Sequence, residues 1–482
     1  MDSICSKFSK NFKDLPIKVL QFGEGNFLRA FADWYIQKAD EKGVFNSKVV
    51  MAQPTPHGRA DFLNSQDCFY TVALMGRENG QVVESYDRIS CVSHCINTFD
   101  DYKSLVEIAV SSDLQVVISN TTEAGIAYNE SDKFEDVPDV TYPGKLTALL
   151  YERFKKNGSG LLILPVELIE NNGDVLKKYV LQYASLWQLG DDFCDYINNE
   201  CKFCSTLVDR IVTGFPKNDY DKITQKLGYD DKLITVCEPY NSWIIQGNPQ
   251  WAELFPIHKA GLNITWCDDI TPYRTRKVRI LNGAHTMSVL AGYLAGFDIV
   301  RDMMQDELFS RYINKGLAQV KKTIDLPEKE LDAFAAAVLD RFDNPFIDHR
   351  LLDISLNSVS KFKARCLPSL LDYVKLTGEL PSVICFGLSA LIAFYNGTYD
   401  GEIFVGHRDG NDYIIKDSKE VTDYFDKAYK TDDVVKAVLE NKDFWDIDLT
   451  EIDGLYDTVK SYFDSINSLG MKEAVRRAVC GE

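Results

Sequence analysis

The segment that most constrains the fold is an apolar run at residues 17–22 that leads at once into the turn Gly23-Glu24-Gly25. The run has the length and branched content of a buried strand, and residues 31–36 after the turn are helical in character. Strand, Gly-x-Gly turn and helix in this order form the context in which backbone amides at a helix start hold a pyrophosphate. Leu28 stands where a third glycine is usual, so a tight turn that serves only structure remains an alternative.

Further along the N-terminal half, apolar strand-like runs alternate with helical segments. The predicted elements are strands at 48–52, 114–119 and 160–164 and helices at 102–110 and 144–155. Residues 68–97 are interpreted as an inserted hairpin region. Alternation of this kind predicts an α/β N-terminal domain that is Rossmann-like, with a mostly parallel, doubly wound sheet.

Two segments at the carboxyl ends of predicted strands add cofactor-binding candidates. The second strand ends at Gln53, where an acidic residue normally binds the ribose hydroxyls of NAD. Gln53 can hydrogen-bond to these hydroxyls, but its neutrality, with Arg59 nearby, leaves the choice between NAD and NADP open. The polar turn at 120–125 follows another strand at the expected position of the ligand crevice. The candidate cofactor-binding residues are Gly23, Gly25, Asn26, Phe27, Gln53, Thr122 and Glu123.

The C-terminal half is predicted to be helical, because strand signals almost vanish from residue 277 onward. Helical periodicity or strong helix formers occur at 288–295, 301–322, 327–341, 369–376, 382–395 and 421–440. At 482 residues the chain is long enough for two large domains, and we place their boundary just after a strand at 263–266. The expected organisation is a dinucleotide-binding Rossmann-like domain at 1–273 and a mostly α-helical substrate and catalytic domain at 274–482.

Lys277, Asn282 and His285 share one helical stretch at the start of this second domain. Steps of three and eight residues bring side chains to one face of a helix, although a step of five alone does not. Lysine can exchange a proton, asparagine can donate to an oxyanion and histidine can polarise a carbonyl. From the spacing alone, ordinary basic residues and a core histidine are the more common explanation. The agreement of the other segments makes a catalytic role the preferred interpretation.

Composition and charge exclude several classes of protein. The net charge of −19 argues against a general nucleic-acid binder, which needs a basic face for the phosphates. No secretory signal opens the sequence, and no apolar run approaches the roughly 18 residues of a membrane span. The twelve cysteines, including the pair Cys201 and Cys204, are therefore interpreted as reduced thiols in a cytoplasmic protein. The six histidines are too dispersed for a ligand cluster, so no metal site is expected.

Taken together, these segments resemble the polyol-specific long-chain dehydrogenases, the mannitol dehydrogenase family, over nearly the whole chain. The segments that carry the resemblance are 23–30, Thr122-Glu123-Ala124-Gly125, Val208-Asp209-Arg210-Ile211, 238–245, Lys277-x4-Asn282-x2-His285 and Arg341-Phe342-x-Asn344-Pro345. Each is modest alone, but six in this order are specific. Within the family, segments 21–31, 204–216 and 354–363 are most similar to the branch that acts on hexuronates.

The resemblance implies an NAD(H)-dependent enzyme that interconverts D-tagaturonate and D-altronate in hexuronate breakdown without a metal. It gives Lys277 the role of proton donor and acceptor, Asn282 that of oxyanion donor, and His285 that of orienting the substrate and polarising its carbonyl. Fructuronate as the substrate, mannitol or arabinitol oxidation, and a nucleotide-binding regulator without catalysis remain as alternatives. The expected partner is a small hexuronate or aldonate, with neither nucleic acid nor membrane, and the oligomeric state is left open.

Three further residues are candidates for binding the substrate. Ser205 stands where the mannitol enzymes carry an asparagine that helps to hold the reacting oxygen. A uronate carboxylate needs a cationic partner, and Lys361, in a basic cluster with Lys363 and Arg365, is the first candidate. His349 is the second candidate. For each of them, a solvated basic face of a helix is the alternative.

Overall fold

The computed structural model describes residues 1–8, 15–122 and 124–480, which form two compact units. The first unit contains Met1–Met75 and Val83–Ile270, and the second contains Gly76–Val82 and Thr271–Glu482. Among the described helices, none is both long enough and apolar enough to span a membrane.

The first unit is built around strands that are buried on both faces. Its strands are β1 (Ile17–Phe22), β2 (Lys48–Gln53), β3 (Tyr70–Glu78), β4 (Gln81–Ile89), β5 (Val92–Asn97), β6 (Val116–Ser119), β7 (Leu162–Pro165), β8 (Lys202–Phe203), β9 (Thr206–Asp209), β10 (Val212–Gly214), β11 (Thr235–Cys237), β12 (Ser242–Gln246) and β13 (Ile264–Cys267). The central sheet has the order β5-β2-β1-β6-β7-β8, and all of its neighbouring strands are parallel. The Rossmann-like, doubly wound sheet predicted from the sequence is thus confirmed.

Two smaller sheets complete this unit, in the orders β10-β11-β3-β4 and β13-β12-β9. The interpretation of 68–97 as one inserted hairpin region is wrong in part. Strands β3 and β4 do pair with each other outside the central sheet, whereas β5 lies parallel to β2 at the edge of the central sheet. The run of β5 contains alternating polar residues, so it lacked the apolar signature of the inner strands.

Helices cover both faces of the central sheet, as its sequence requires. They are α1 (Ile4–Lys7), α2 (Asn26–Ala30), α3 (Ala32–Glu41), α4 (Ala60–Ser65), α5 (Tyr102–Ala109), α6 (Tyr142–Asn157), α7 (Asn172–Leu186), α8 (Asp191–Asn199) and α9 (Tyr220–Leu227). Val19 and Val49 belong to one core with residues of α3, whereas Leu20 and Val50 belong to a second core with residues of α5 to α8. Because successive side chains alternate across a strand, a continuous apolar run supplies both cores.

The second unit is mostly helical, as predicted. Its helices are α10 (Thr271–Arg276), α11 (Gly283–Leu294), α12 (Val300–Gln305), α13 (Glu307–Lys321), α14 (Glu328–Phe342), α15 (Leu351–Ile354), α16 (Ser358–Arg365), α17 (Leu367–Thr377), α18 (Ser382–Phe394), α19 (Lys419–Ala428), α20 (Val434–Glu440), α21 (Lys442–Trp445), α22 (Leu455–Leu469) and α23 (Met471–Cys480). A π-helix, Lys277–Asn282, joins α10 to α11. Helix α18 is buried along almost its whole length, and its Gly387 lies against the backbone of Met287 in α11.

One part of this unit departs from the all-helical expectation. Strands β14 (Gly397–Asp400), β15 (Ile403–Arg408) and β16 (Asn411–Ile414) form an antiparallel three-stranded sheet. The sequence carried a signal for it, since Asp-Gly occurs at 400–401 and again at 409–410 between short β-type runs. Asp409 and Gly410 both have positive φ, as the tight hairpin turn requires.

Candidate active site

The glycine turn after β1 is fixed by a close approach of two strands. Gly23 has φ +112°, and a Cβ there would lie 2.8 Å from the carbonyl oxygen of Asn120, at the end of neighbouring β6. Only glycine fits this position without strain. The Leu28 side chain, which replaces the usual third glycine, packs under the turn and is buried. Leu28 therefore fills the space beneath the turn, and the turn keeps its geometry without the third glycine.

Gly25, Asn26 and Phe27 differ in what they offer to a ligand. A Cβ on Gly25 would meet nothing within 4 Å, so its backbone faces open space. The Asn26 side chain is occupied, because its Oδ1 accepts a hydrogen bond from Arg29 at 2.6 Å. Asn26 therefore has its backbone amide, at the start of α2, to offer to a phosphate. Phe27 lines a cavity.

That cavity lies at the carboxyl ends of three adjacent parallel strands. It has a volume of about 300 Å³. Its lining residues follow or belong to β1, β6, β7 and β9, and they are Phe27, Asn120, Thr122, Val166, Leu168 and Val208. This edge is where doubly wound sheets bind ligands. The predicted cofactor residues Phe27 and Thr122 thus lie at one cavity, whereas Glu123 lies outside the described residues.

The loop after β6 is held in an unusual conformation by a buried carboxylate. Thr122 has φ +70°, which is rare for a β-branched residue and is found mostly at functional sites. Glu167 accepts hydrogen bonds from the amide of Thr121 at 2.9 Å and from the hydroxyl of Ser119 at 3.1 Å. Burial raises the pKa of the Glu167 carboxyl, and these hydrogen bonds oppose the rise. Glu167 was not predicted from the sequence, although it lies two residues after β7, at the edge where site residues of such sheets occur.

A second buried acid lies behind the glycine turn. Gln21 donates to the carbonyl of Gly23 at 3.1 Å and to Asp33 at 3.4 Å, and the Tyr70 hydroxyl donates to Asp33 at 2.7 Å. Complete burial raises the pKa of Asp33 to about 7, although the hydrogen bonds from Tyr70 and Gln21 oppose the rise. The backbone of the turn is thus tied to a network that changes charge near neutral pH.

Gln53 is placed at the end of β2, as predicted, but its side chain is already engaged. Its Nε2 donates to the carbonyl of Thr55 at 2.8 Å, and its Oε1 accepts from the amide of Ala60 at 3.0 Å. A Cβ on Gly58 would lie 2.3 Å from the Gln53 side chain, so the intervening loop wraps closely around it. Gln53 therefore shapes this loop, and its contact with a ribose stays a prediction.

Ser205 lines a different cavity of the first unit. This cavity has a volume of about 390 Å³, and its lining includes Phe203 and Ser205. The Ser205 hydroxyl donates to Asp174 at 3.5 Å. Val208 lines the cavity beside Phe27, whereas Ser205 does not, so the structure does not bring Ser205 to the predicted cofactor residues.

In the second unit, the π-helix changes the spacing of the predicted catalytic residues. Lys277 and Asn282 are its first and last residues, and the amide of Gly283 donates to the carbonyl of Val278, five residues earlier. A π-helix hydrogen-bonds each residue to the one five positions away and is frequent at functional sites. Lys277 and Asn282 are five residues apart, a spacing that an α-helix does not bring to one face. This spacing equals the hydrogen-bond spacing of the π-helix. Lys277 is partly buried, and the Oδ1 of Asn282 is buried without a hydrogen-bond partner among the described residues.

His285 lies in the first turn of α11, between aromatic rings. Its ring stacks on Phe342 with centroids 4.0 Å apart and meets His349 edge-on at 5.4 Å. Burial holds the pKa of His285 well below its usual range, and the charges of His349, Arg341, Arg365 and Lys361 lower it further. Its Nε2 is buried without a hydrogen-bond partner in the described part of the chain. A neutral imidazole with a free nitrogen can donate or accept one hydrogen bond.

The basic cluster predicted on α16 divides between two directions. The Lys361 ammonium donates to the carbonyl of Ile354 at 2.9 Å, and its pKa is lowered by burial and by Arg365. Arg365, one helical turn further on, donates to Thr286 at 3.4 Å. Lys363 instead pairs with exposed Asp446 at 2.7 Å. Arg365 therefore contacts α11, Lys361 contacts α15 and acts on His285 through its charge, and Lys363 is paired elsewhere.

The two substrate-binding candidates of the second unit lie near His285. His349 meets the His285 ring, and burial lowers the pKa of His349 against the opposing charge of Asp353. The charge of buried Arg341, a residue of the Arg341-Phe342-x-Asn344-Pro345 segment, acts on the same imidazole. Across residues 1–8, 15–122 and 124–480, no group of three or more potential ligand side chains is placed to hold a metal ion.

Comparison with protein families and curated proteins covers nearly the whole chain. Residues 17–259 match the mannitol dehydrogenase Rossmann domain, and residues 269–467 match the mannitol dehydrogenase C-terminal domain. The chain is 42% identical over 476 residues to altronate oxidoreductase of Halalkalibacterium halodurans, a match that covers 96% of this chain and 93% of the relative. Altronate oxidoreductases of Bacteroides thetaiotaomicron and Escherichia coli O1:K1 are also 42% identical, with 96% of both chains covered.

Solved structures share the fold at lower sequence identity. A substrate-free D-sorbitol dehydrogenase superposes with a TM-score of 0.81 at 22% identity, covering 98% of this chain and 100% of the other. Pseudomonas fluorescens mannitol 2-dehydrogenase, solved with NAD and D-mannitol, gives a TM-score of 0.64 at 20% identity, covering 96% and 94%. At these identities the likeness concerns the fold.

Proposed function

The chain belongs to the mannitol dehydrogenase family, and from this premise we propose that it is an NAD(H)-dependent oxidoreductase that interconverts D-tagaturonate and D-altronate. The observation that carries the proposal is the 42% identity to altronate oxidoreductases over 96% of the chain. The cationic surroundings of His285 support the choice of substrate, since a hexuronate bears a carboxylate that a polyol lacks. The enzyme takes part in hexuronate catabolism.

The first unit fits a dinucleotide. Gly23 and Gly25, with the backbone amides of Asn26 and Phe27, would hold the pyrophosphate, because the turn is open at Gly25 and cannot carry a side chain at Gly23. Thr122 follows β6 at the same edge of the sheet, and Gln53 ends β2. Glu123 lies outside the described residues and stays a candidate from the sequence alone. When bound, NADH supplies the hydride that reduces the ketone carbon. No acidic side chain ends β2 to repel a 2′-phosphate, so this strand does not itself select NAD. NAD as the preferred cofactor is proposed from the family, of which Pseudomonas fluorescens mannitol 2-dehydrogenase was solved with NAD.

Three side chains of the second unit act on the oxygen of the ketone. Lys277 gives its proton to this oxygen as the alkoxide forms, and takes a proton back when altronate is oxidised. The amide of Asn282 donates to the developing oxyanion, while its unpartnered oxygen can accept from a neighbouring substrate hydroxyl. Neutral His285 donates through its unpartnered nitrogen and polarises the carbonyl. The chemistry proposed for these residues needs no metal.

Residues around Lys277, Asn282 and His285 orient the substrate. Lys361 and His349 contact the remaining oxygens of the substrate, because both act on His285 and both carry hydrogen-bond donors. Ser205 is the remaining substrate candidate, although in the first unit its hydroxyl is bonded to Asp174. The twelve free cysteines, eight of them buried, support a reducing compartment and hence the cytoplasm as the location.

The loss of NADH absorbance on mixing the protein with tagaturonate, fructuronate or fructose tests the proposal. We expect fast oxidation with tagaturonate and NADH, much slower but measurable oxidation with the other two sugars, and slow or no oxidation with NADPH. Preference for fructuronate would keep the fold and the trio but change the substrate. Inactivity with all three ketoses would contradict the enzymatic assignment and favour a nucleotide-binding regulator.

A further inference from the structure

The end of helix α16 is packed directly on the start of α11, next to His285. A Cβ on Gly283 would lie 3.4 Å from the carbonyl oxygen of Arg365, and the Cys366 thiol donates to the carbonyl of Gly283 at 3.7 Å. The Arg365 side chain donates to the hydroxyl of Thr286, the residue after His285, at 3.4 Å. Contacts between the two helix ends therefore place Arg365 beside α11, the helix that carries His285. The hydrogen bond to Thr286 then fixes its guanidinium.

Two neighbouring cations, Arg279 and Lys363, have carboxylate partners, and Arg365 differs from them. Arg279, on the π-helix, pairs with Asp372 at 2.6 Å, and Lys363 pairs with Asp446 at 2.7 Å. Among the residues that the structure describes, Arg365 makes no ion pair and donates to a hydroxyl alone. Lys361 lacks an ion pair in the same set, but its ammonium already donates to the carbonyl of Ile354.

Burial makes this lack of a partner costly. Arg365 is partly buried, and burial lowers the pKa of its guanidinium. A buried cation without a counter-charge is unfavourable unless an anion completes the site. The positive charges of Arg341, Arg365 and Lys361 all act on His285, within a chain whose net charge is −19. This concentration of positive charge around His285 therefore favours an anionic ligand group.

We propose that Arg365 is the specificity-determining residue of the site and binds the carboxylate of the hexuronate through two parallel hydrogen bonds. This inference rests on the proposed function and goes beyond it by assigning the group that separates uronates from neutral ketoses. The sequence favours Lys361 for this role, but a guanidinium has five donors in a planar fork that matches a carboxylate, and one of them is used by Thr286. Lys361 is a secondary cation of the same subsite.

Three variants on one helix test the assignment. Arg365→Gln removes the charge, Arg365→Lys keeps the charge without the fork, and Lys363→Gln is the matched control because Lys363 pairs with Asp446 away from α11. The measurement is kcat/KM with NADH for tagaturonate and for fructose, used at high concentration as a neutral ketose. Arg365→Gln should lose roughly 10- to 100-fold with tagaturonate, mainly through KM, and keep its rate with fructose. Arg365→Lys should fall between, and Lys363→Gln should match the wild type.

The fructose rate reports correct folding of each variant, and a calorimetric titration with altronate gives a second readout that does not depend on turnover. Equal losses for tagaturonate and fructose, or an effect of Lys363→Gln as large as that of Arg365→Gln, would overturn the role of Arg365. A wild-type enzyme that neither reduces tagaturonate nor binds altronate would refute the proposed function itself, so the two failures are distinguishable.

Discussion

His285 shows how surroundings, rather than residue type, decide what a side chain can do. A histidine exposed to water exchanges its proton near neutral pH, whereas burial and the neighbouring cations keep this one neutral. A neutral ring that stacks on Phe342 keeps a fixed orientation and presents one free nitrogen. We therefore assign the proton transfer to Lys277 and the polarisation of the carbonyl to His285.

Replacing Lys277 tests this division of roles. Lys277→Ala should lower kcat for tagaturonate reduction by roughly 100- to 10,000-fold, the usual contribution of a general acid. NADH binding, followed by the fluorescence of the bound cofactor, should stay unchanged, and added methylamine should restore part of the rate. Lys321→Ala, which removes a lysine paired with Asp332, is the control. A variant that retains full activity would exclude Lys277 as the proton donor.

Asp33 should give the protein a pH-dependent stability. Its pKa is raised to about 7 in the folded protein, against an ordinary value of 3.8. Between these two values the unfolded chain releases a proton that the folded chain retains, so the free energy of unfolding falls as pH rises from 4 to 7 and then levels off. Asp33→Asn removes this term and should be more stable relative to wild type at pH 8 than at pH 4, by up to about 4 kcal/mol.

Urea unfolding of wild type and Asp33→Asn at pH 4, 6 and 8 measures this difference. Asp61→Asn, which changes an exposed carboxylate on α4, is the control and should leave the pH dependence unaltered. If the stability difference between Asp33→Asn and wild type stays constant across the series, the carboxyl of Asp33 does not titrate in this range.

At the scale of the helix, the π-helical segment accounts for the five-residue spacing of Lys277 and Asn282, which the periodicity of an α-helix does not explain. An α-helix places residues five apart on different faces, so the pattern of Lys277 and Asn282 was ambiguous from the sequence. The π-helix at Lys277–Asn282 carries a hydrogen-bond repeat of that length. Such a segment is energetically poorer than an α-helix, and the contacts of Arg279 with Thr323 and Asp372 help to hold it.

Two glycines at places where other helices pack against α11, Gly387 of α18 and Gly283 of α11 itself, give a matched test of helix packing. A Cβ on Gly387 of α18 would lie 3.0 Å from the carbonyl oxygen and 3.2 Å from the Cα of Met287, which are backbone atoms. Gly387→Ala must therefore separate α18 from α11 and should cost about 1–3 kcal/mol. The separation also displaces the turn that carries His285, so kcat should fall.

The control is Gly283→Ala, where the nearest atom would be at an ordinary 3.4 Å. Alanine is the better helix former, so this variant should gain up to about 1 kcal/mol. Differential scanning fluorimetry of both variants measures the contrast. A Gly387→Ala protein as stable as Gly283→Ala would show that the two helices can adjust freely at this contact.

Most secondary-structure elements could be predicted from the sequence, whereas most side-chain contacts could not. The run at 17–22 and the glycine turn followed from local pattern alone, and the helices of the second unit followed from periodicity. The sheet formed by β14 to β16 was not predicted, because its strands are short and lie between helices, so their pattern is too brief to stand out. The side-chain partners of Gln53 and Ser205 were not predictable, since they come from loops whose paths depend on tertiary packing.

At the scale of the whole molecule, charge is distributed unevenly. The chain carries a net −19, which opposes the approach of an anionic sugar acid, while the cations acting on His285 favour its binding. Composition could not show this local reversal, because it averages over a chain of 482 residues. The reversal depends on α14 and α16 bringing Arg341, Lys361 and Arg365 to one histidine.

The membership of Gly76–Val82 in the helical unit has a consequence for the order of synthesis. Arg77 in this tip pairs with Asp343, and the amide of Gly80 donates to Asp340 at 3.1 Å. The partners are separated by 266 and 260 positions in the chain. At ordinary rates of translation the tip leaves the ribosome roughly 13 to 50 s before the carboxylates that it binds. The helical unit is therefore completed by a segment that was synthesised long before the rest of that unit.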